Sequence, residues 1–133
     1  MSAVTNQQLI ERAAAVVRPQ LVNGRRFGDV GSALVTPRGS VYVGVCLDTR
    51  SGTGFCAEHS AIAAMVTAGE LEIAKIVAVW KDDAGRIVVL PPCGRCREFI
   101  RQVHSANLEA EVILGTDEVV RLKELLPRHE WPG

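Results

Sequence analysis

Hydrophobic positions recur along the chain with two periods, and the switches between them predict the order of elements. Thr5 is followed three residues later by Gln8, the arrangement of a capping box, and Leu9, Ala13, Val16 and Val17 then recur at helical spacing until Pro19. An amphipathic first helix is expected. Residues 29–36, "DVGSALVT", and 41–48, "VYVGVCLD", read as two strands joined through "PRGS", whose proline and glycine supply turn chemistry. They predict a hairpin. In its second strand the period of two sets Val41, Val43, Val45 and Leu47 on one face and Tyr42, Gly44, Cys46 and Asp48 on the other.

Helical spacing returns from Cys56 to Ala68 and is closed by Gly69; Ile73 to Trp80 predicts a buried strand running to the loop "KDDAG". "RIVVL" adds a short strand before Pro91 and Pro92 interrupt pairing, and Gly94 to Val103 then turns Cys96, Phe99, Ile100 and Val103 inward on a helix. A strand, "EAEVIL", and a last helix from Asp117 to Leu126 complete the order. Trp80 and Phe99 are expected in the core, His59, His104 and His129 on helix surfaces or in the tail, and Arg97 and Arg101 on a solvated helix face. Strands alternating with helices after a hairpin predict an α/β fold, a mixed sheet covered by helices on both faces.

Composition narrows the class. A chain of 133 residues, 47% hydrophobic, is expected to form a single domain spanning 1–133. Fifteen basic and fifteen acidic residues cancel and only 5% are aromatic, so neither the field nor the stacking surface for a nucleic acid polymer is present. A small-molecule partner is expected. The start, "MSAVTNQQLIERAAAVVRPQ", lacks the continuous apolar core of a signal peptide, and no run is long enough to span a bilayer. No membrane partner is expected, and a cytoplasmic setting is expected. In that setting the four cysteines point to thiol chemistry or metal binding rather than disulfides.

"PCGRC" places Cys93 and Cys96 at a predicted helix start, where two thiols can chelate a metal or cycle through a disulfide. Cys56 stands at another helix start and supplies a third soft ligand of the kind zinc prefers. Three protein ligands leave a tetrahedral zinc one open position for water, as in catalytic sites. Glu58, two residues beyond Cys56, is within reach of that water and is the candidate proton shuttle. Three thiolates leave excess negative charge on the centre, which the two helix N-termini and Arg95 are placed to offset. The alternatives are buried small hydrophobes, a redox pair that leaves Glu58 unexplained, and a closed structural site with Cys46 as fourth ligand.

These residues, "CAE" and then "PCGRC", resemble the zinc-dependent cytidine deaminase superfamily. The resemblance extends through "VGSALVTPRGSVYVGV" and "ELLP", and "PCGRCR" with the tryptophan tail "ELLPRHEWPG" is similar to blasticidin-S deaminases. It implies a three-layer α/β/α sandwich and a homotetramer with active sites near subunit interfaces. It implies Zn2+ on Cys56, Cys93 and Cys96, no organic cofactor, and hydrolytic deamination of a cytosine-type nucleoside or nucleoside-like substrate. Glu58 would carry protons to ring N3 and to the departing ammonia. Substrate contacts would come from Phe27, Cys46, Asp48 and Ala57. Cys46 and Asp48 stand where the family carries an asparagine and a glutamate that hold the ribose, and Phe27 is displaced by one position from the family's phenylalanine. His59 replaces the arginine that often follows "CAE", which moves charge balancing toward Arg95.

Overall fold

A computed structural model describes residues 3–131; Met1, Ser2, Pro132 and Gly133, the last two closing the predicted tail, lie outside the described residues. Helix α1 (Asn6–Val16) begins as its cap predicts: Thr5 Oγ1 accepts the Gln8 N–H at 3.1 Å, and Gln8 Oε1 accepts the Thr5 N–H at 2.9 Å. There follow β1 (Gln20–Val22), β2 (Arg25–Val35), β3 (Val41–Asp48), α2 (Ala57–Thr67), β4 (Lys75–Lys81) and β5 (Ile87–Leu90). Helix α3 (Gly94–Val103), β6 (Glu111–Ile113) and β7 (Val119–Arg121) complete the regular elements, with 3₁₀ turns at Ser105–Glu109 and Leu122–Leu125. Strand β2 pairs with β1, β3 and β4, β4 also with β5 and β6, and β6 with β7. Only β4 and β6 run parallel among these described pairs, so the sheet is mixed.

Alternate residues of the central strands feed two cores on opposite faces. Leu9, Ile10, Ala13 and Ala14 of α1 pack on Ala33, Val35, Val77 and Ile113. Ala61, Ile62 and Met65 of α2 and Ile100 of α3 pack on Leu34, Ile76 and Val112. Each large aliphatic side chain buried this way contributes roughly 1.5–3 kcal/mol, and together they fix the three layers of an α/β/α sandwich.

Two details place the helices that matter for chemistry. A Cβ on Gly44 of β3 would lie 2.4 Å from the Ser60 Cβ, so only glycine lets α2 approach the sheet this closely, and Ser60 Oγ donates to the Val45 carbonyl at 2.7 Å. Arg97 of α3, expected in solvent, instead reaches back to donate to the Pro92 carbonyl at 2.9 Å and to the Leu125 carbonyl at 3.2 Å.

The predicted helix from Asp117 to Leu126 does not form. Val120 pairs with Val112 across an antiparallel β6–β7 ladder, and Leu122 follows it into the core as the 3₁₀ turn begins. The open edge of β6 offers backbone partners that outweigh the local helical spacing. Trp80, expected in the core, is 42% exposed at the end of β4, whereas Phe99 packs against the core as expected. Among the described residues no helix is long and apolar enough to cross a membrane.

Candidate active site

Cys56 and Cys93 occupy the N-cap positions of α2 and α3, where a serine, threonine, asparagine or aspartate would ordinarily accept a backbone N–H. Neither makes a capping hydrogen bond through its side chain. Their sulfurs turn to each other instead: Cys56 Sγ and Cys93 Sγ are 3.5 Å apart, as are Cys93 Sγ and Cys96 Sγ, and all three lie within 4.8 Å of one another. Thiolates about 2.3 Å from a tetrahedral zinc would stand about 3.8 Å apart. The spacing and the soft donor set both fit that ion. Cys46 is not in the group, so the fourth corner is not filled by a fourth sulfur.

The thiols bear out the need for a cation. Burial, then the Cys93 thiol, with the Glu58 charge adding and the Cys96 thiol opposing, pushes Cys56 up to about 11, and burial with the Glu58 charge raises Cys96 further. Burial opposes ionisation of Cys93 too, but the Cys96 backbone N–H and the adjacent thiols outweigh it and leave Cys93 below its usual value. Three sulfurs so placed ionise together only around positive charge, and the N–H groups at the two helix starts add to it.

Glu58, 5% exposed, lies one helical residue past Ala57. Burial raises its carboxyl above the usual range, with its own backbone N–H and the Cys96 thiol partly offsetting that effect. A carboxyl displaced toward neutrality is suited to give as well as take a proton. It borders a cavity of about 630 Å³ whose wall also includes Cys56, Ala57, Cys93 and Arg95. Cys46 and Asp48 enter the same cavity, as their shared strand face predicts.

Other site expectations meet a different arrangement. Phe27 pairs with Gln20 and Leu47 in the sheet and is not among the residues lining the cavity; the aromatic there is Phe55. Reciprocal 3.0 Å backbone hydrogen bonds between Phe55 and Leu47 hold that ring just ahead of Cys56, and its adjacency to the first ligand was the available clue. Asp29 also lines the cavity, on a segment that strand alternation alone does not aim.

Arg95 stands at the cavity wall but donates to the Gly54 carbonyl at 3.3 Å. The ring nearest a ligand sulfur is His59, half-buried rather than on the helix surface: its Nδ1 is 3.5 Å from Cys96 Sγ, and it stacks on Phe99 at 4.1 Å and 7°. Burial, then the Arg95 charge, lowers its pKa, which suits a neutral imidazole with Nδ1 facing the sulfur.

A mixed sheet sandwiched by helices carries two that start on cysteines converging beside a buried glutamate, the soft donors and the acid that a zinc-dependent hydrolase requires. Residues 4–111 match the family described as "Cytidine and deoxycytidylate deaminase zinc-binding region", and the chain belongs to that family. It is 32% identical to a cytidine deaminase of Halalkalibacterium halodurans over 124 residues, 91% of this chain and 90% of that one. A blasticidin-S deaminase of Bacillus cereus is 37% identical over 76 residues, covering 53% of this chain and 54% of its own length. The crystal structure of cytidine deaminase from Burkholderia pseudomallei superposes with a TM-score of 0.73 at 29% identity, covering 93% of this chain and 98% of that one. That of cytidine deaminase from Mycobacterium tuberculosis gives 0.73 at 28% identity, with 92% and 94% covered.

Proposed function

We propose that this chain hydrolyses the exocyclic amine of a cytosine-type ring in a free nucleoside or nucleoside-like molecule, converting it to the carbonyl and releasing ammonia. The observation that carries the reading is the buried Glu58 at the cavity wall beside three converging cysteine sulfurs, with Cys46 outside their group. When bound, zinc would supply Lewis-acid chemistry and an activated water. Cys56, Cys93 and Cys96 hold the ion. Glu58 takes one proton from the attacking water and gives it to ring N3, then takes the second from the hydroxyl so formed at the ring carbon and passes it to the leaving amine, so that water and amine balance carbonyl and ammonia. Arg95 and the two helix starts offset the thiolate charge. Ala57 and Asp48 are placed along the cavity to contact the substrate, and Cys46 lines the same wall.

Two substrate sources are compatible with this chemistry: a cytidine-type nucleoside, which would make the role pyrimidine salvage, or a blasticidin-S-like molecule, which would make it resistance. Following ultraviolet loss of cytidine, deoxycytidine, cytosine and blasticidin S with zinc-loaded protein separates them. Another aminated heterocycle, or a structural zinc module, is the reading left if none is consumed.

A single catalytic domain spans the chain on this reading. Free thiols accord with a reducing, cytoplasmic setting. The exposed apolar side chains of Leu21, Val22, Trp80, Ile87 and Val88 accord with assembly into a homotetramer, which sedimentation would reveal as a mass near that of one chain if the idea is mistaken.

A further inference from the structure

The register of β2 against β3 breaks at one point. Pairing runs from Val35 with Val41 to Gly31 with Val45, then resumes at Phe27 with Leu47, so that Gly28, Asp29 and Val30 together stand opposite the single residue Cys46. This is a bulge with two surplus residues. Gly28 makes it possible: its φ is +78°, and a Cβ there would lie 2.3 Å from the Arg18 carbonyl oxygen. The Arg18 N–H in turn donates to the Gly28 carbonyl at 2.9 Å, pinning the bulge from outside the sheet.

From inside it is pinned by sulfur. The Val30 N–H donates to Cys46 Sγ at 3.3 Å, so the thiol accepts from the backbone at the point where the β3 ladder is interrupted. That side chain is therefore engaged with the backbone, and a thiol is a weak partner for substrate in any case. Asp29, Val30 and Cys46 nevertheless all line the cavity that contains Glu58. Asp29 is half-buried there, and among the described residues its carboxylate has no ion pair or side-chain hydrogen bond to occupy it. An ionised carboxylate offers only acceptors, and it repels phosphate.

We infer that Asp29 is a specificity-determining residue that receives a hydroxyl or ammonium donor on the part of the substrate remote from the reacting amine, and that Cys46 is a positioning residue acting through the bulge. The inference rests on the nucleoside-like reading above. It places the polar recognition lost at Cys46 on the strand beside it, and makes a phosphate-bearing version of the substrate a poor one.

The test uses the zinc-loaded full chain and whichever of cytidine, deoxycytidine or blasticidin S the wild type consumes. Asp29→Asn keeps size and shape while removing the charge. It should raise KM roughly ten- to hundredfold with little change in kcat, the loss expected for a hydrogen bond to a charged group. It should also narrow the preference for cytidine over its 5′-monophosphate. Cys46→Val should raise KM without loss of bound zinc, Cys46→Ser should restore it, and Cys46→Val should add little in the Asp29→Asn background. A KM within twofold of wild type for Asp29→Asn overturns the role of Asp29. Full additivity of the two changes overturns the role of Cys46. A wild type inert toward every compound overturns the nucleoside reading itself, and this inference with it.

Discussion

At the scale of single residues, the site separates holding from reacting. On the proposed reading the cysteine sulfurs hold the ion, and Glu58 reacts from a position buried enough to raise its carboxyl. Glu58→Gln should therefore lower kcat by about 10²–10⁴-fold while bound zinc, read by elemental analysis, stays at the wild-type level. Zinc lost along with activity would instead make Glu58 part of the metal cradle. These four residues were legible in the sequence because their chemistry is written in residue type and short spacing. Asp29 and Phe55 were not, because the first depends on a register break and the second on a backbone clamp, both made by distant partners. His59 was misread for the same kind of reason: only the fold brings Phe99 and Cys96 to its ring.

At the scale of elements, legibility follows how local the determinants are. The capping box of α1, the turn between β2 and β3 and the inward face of α3 are each settled within a few residues of chain, and each formed. The segment after Asp117 carries helical spacing, yet its valines pair with β6, a partner no local pattern reveals. Contacts between elements also set pH dependence. The Tyr42 hydroxyl of β3 donates to Glu70 Oε2, just past α2, at 2.8 Å. That bond, then burial, raises Tyr42 above its ordinary 10.0, while Thr36 and then Tyr42 hold Glu70 below its ordinary 4.5. The Glu70 contribution is present above pH 4.5 and fades as pH falls through the lower folded value. The Tyr42 contribution is present below pH 10.0 and fades as pH rises through the higher folded value. Tyr42→Phe should accordingly flatten the alkaline fall in stability measured by urea unfolding from pH 9 upward; an unchanged slope would assign that fall to other groups.

At the scale of the molecule, the candidate metal ligands bring the starts of α2 and α3 together across a separation of 37 positions, on the same face of the sheet. A ligand that binds the native state alone stabilises it by about 2.7 kcal/mol when present at a hundred times its dissociation constant. Chelation should therefore lower the melting temperature, and buffered free zinc should raise it in proportion to the logarithm of its concentration. A melting temperature indifferent to zinc would mean that the sulfurs do not share an ion. The same geometry depends on where the two helices begin relative to one sheet, and Gly44 sets that distance for α2.

The two N-caps carry a consequence for how such a chain can change over generations. Serine or aspartate at either position would be the better helix starter, by about 1 kcal/mol each. The commonest routes to a sturdier protein at Cys56 and Cys93 thus lead directly away from chemistry. A descendant released from its reaction, and no longer holding an ion, would be expected to drift toward those hydroxyl or carboxylate caps first.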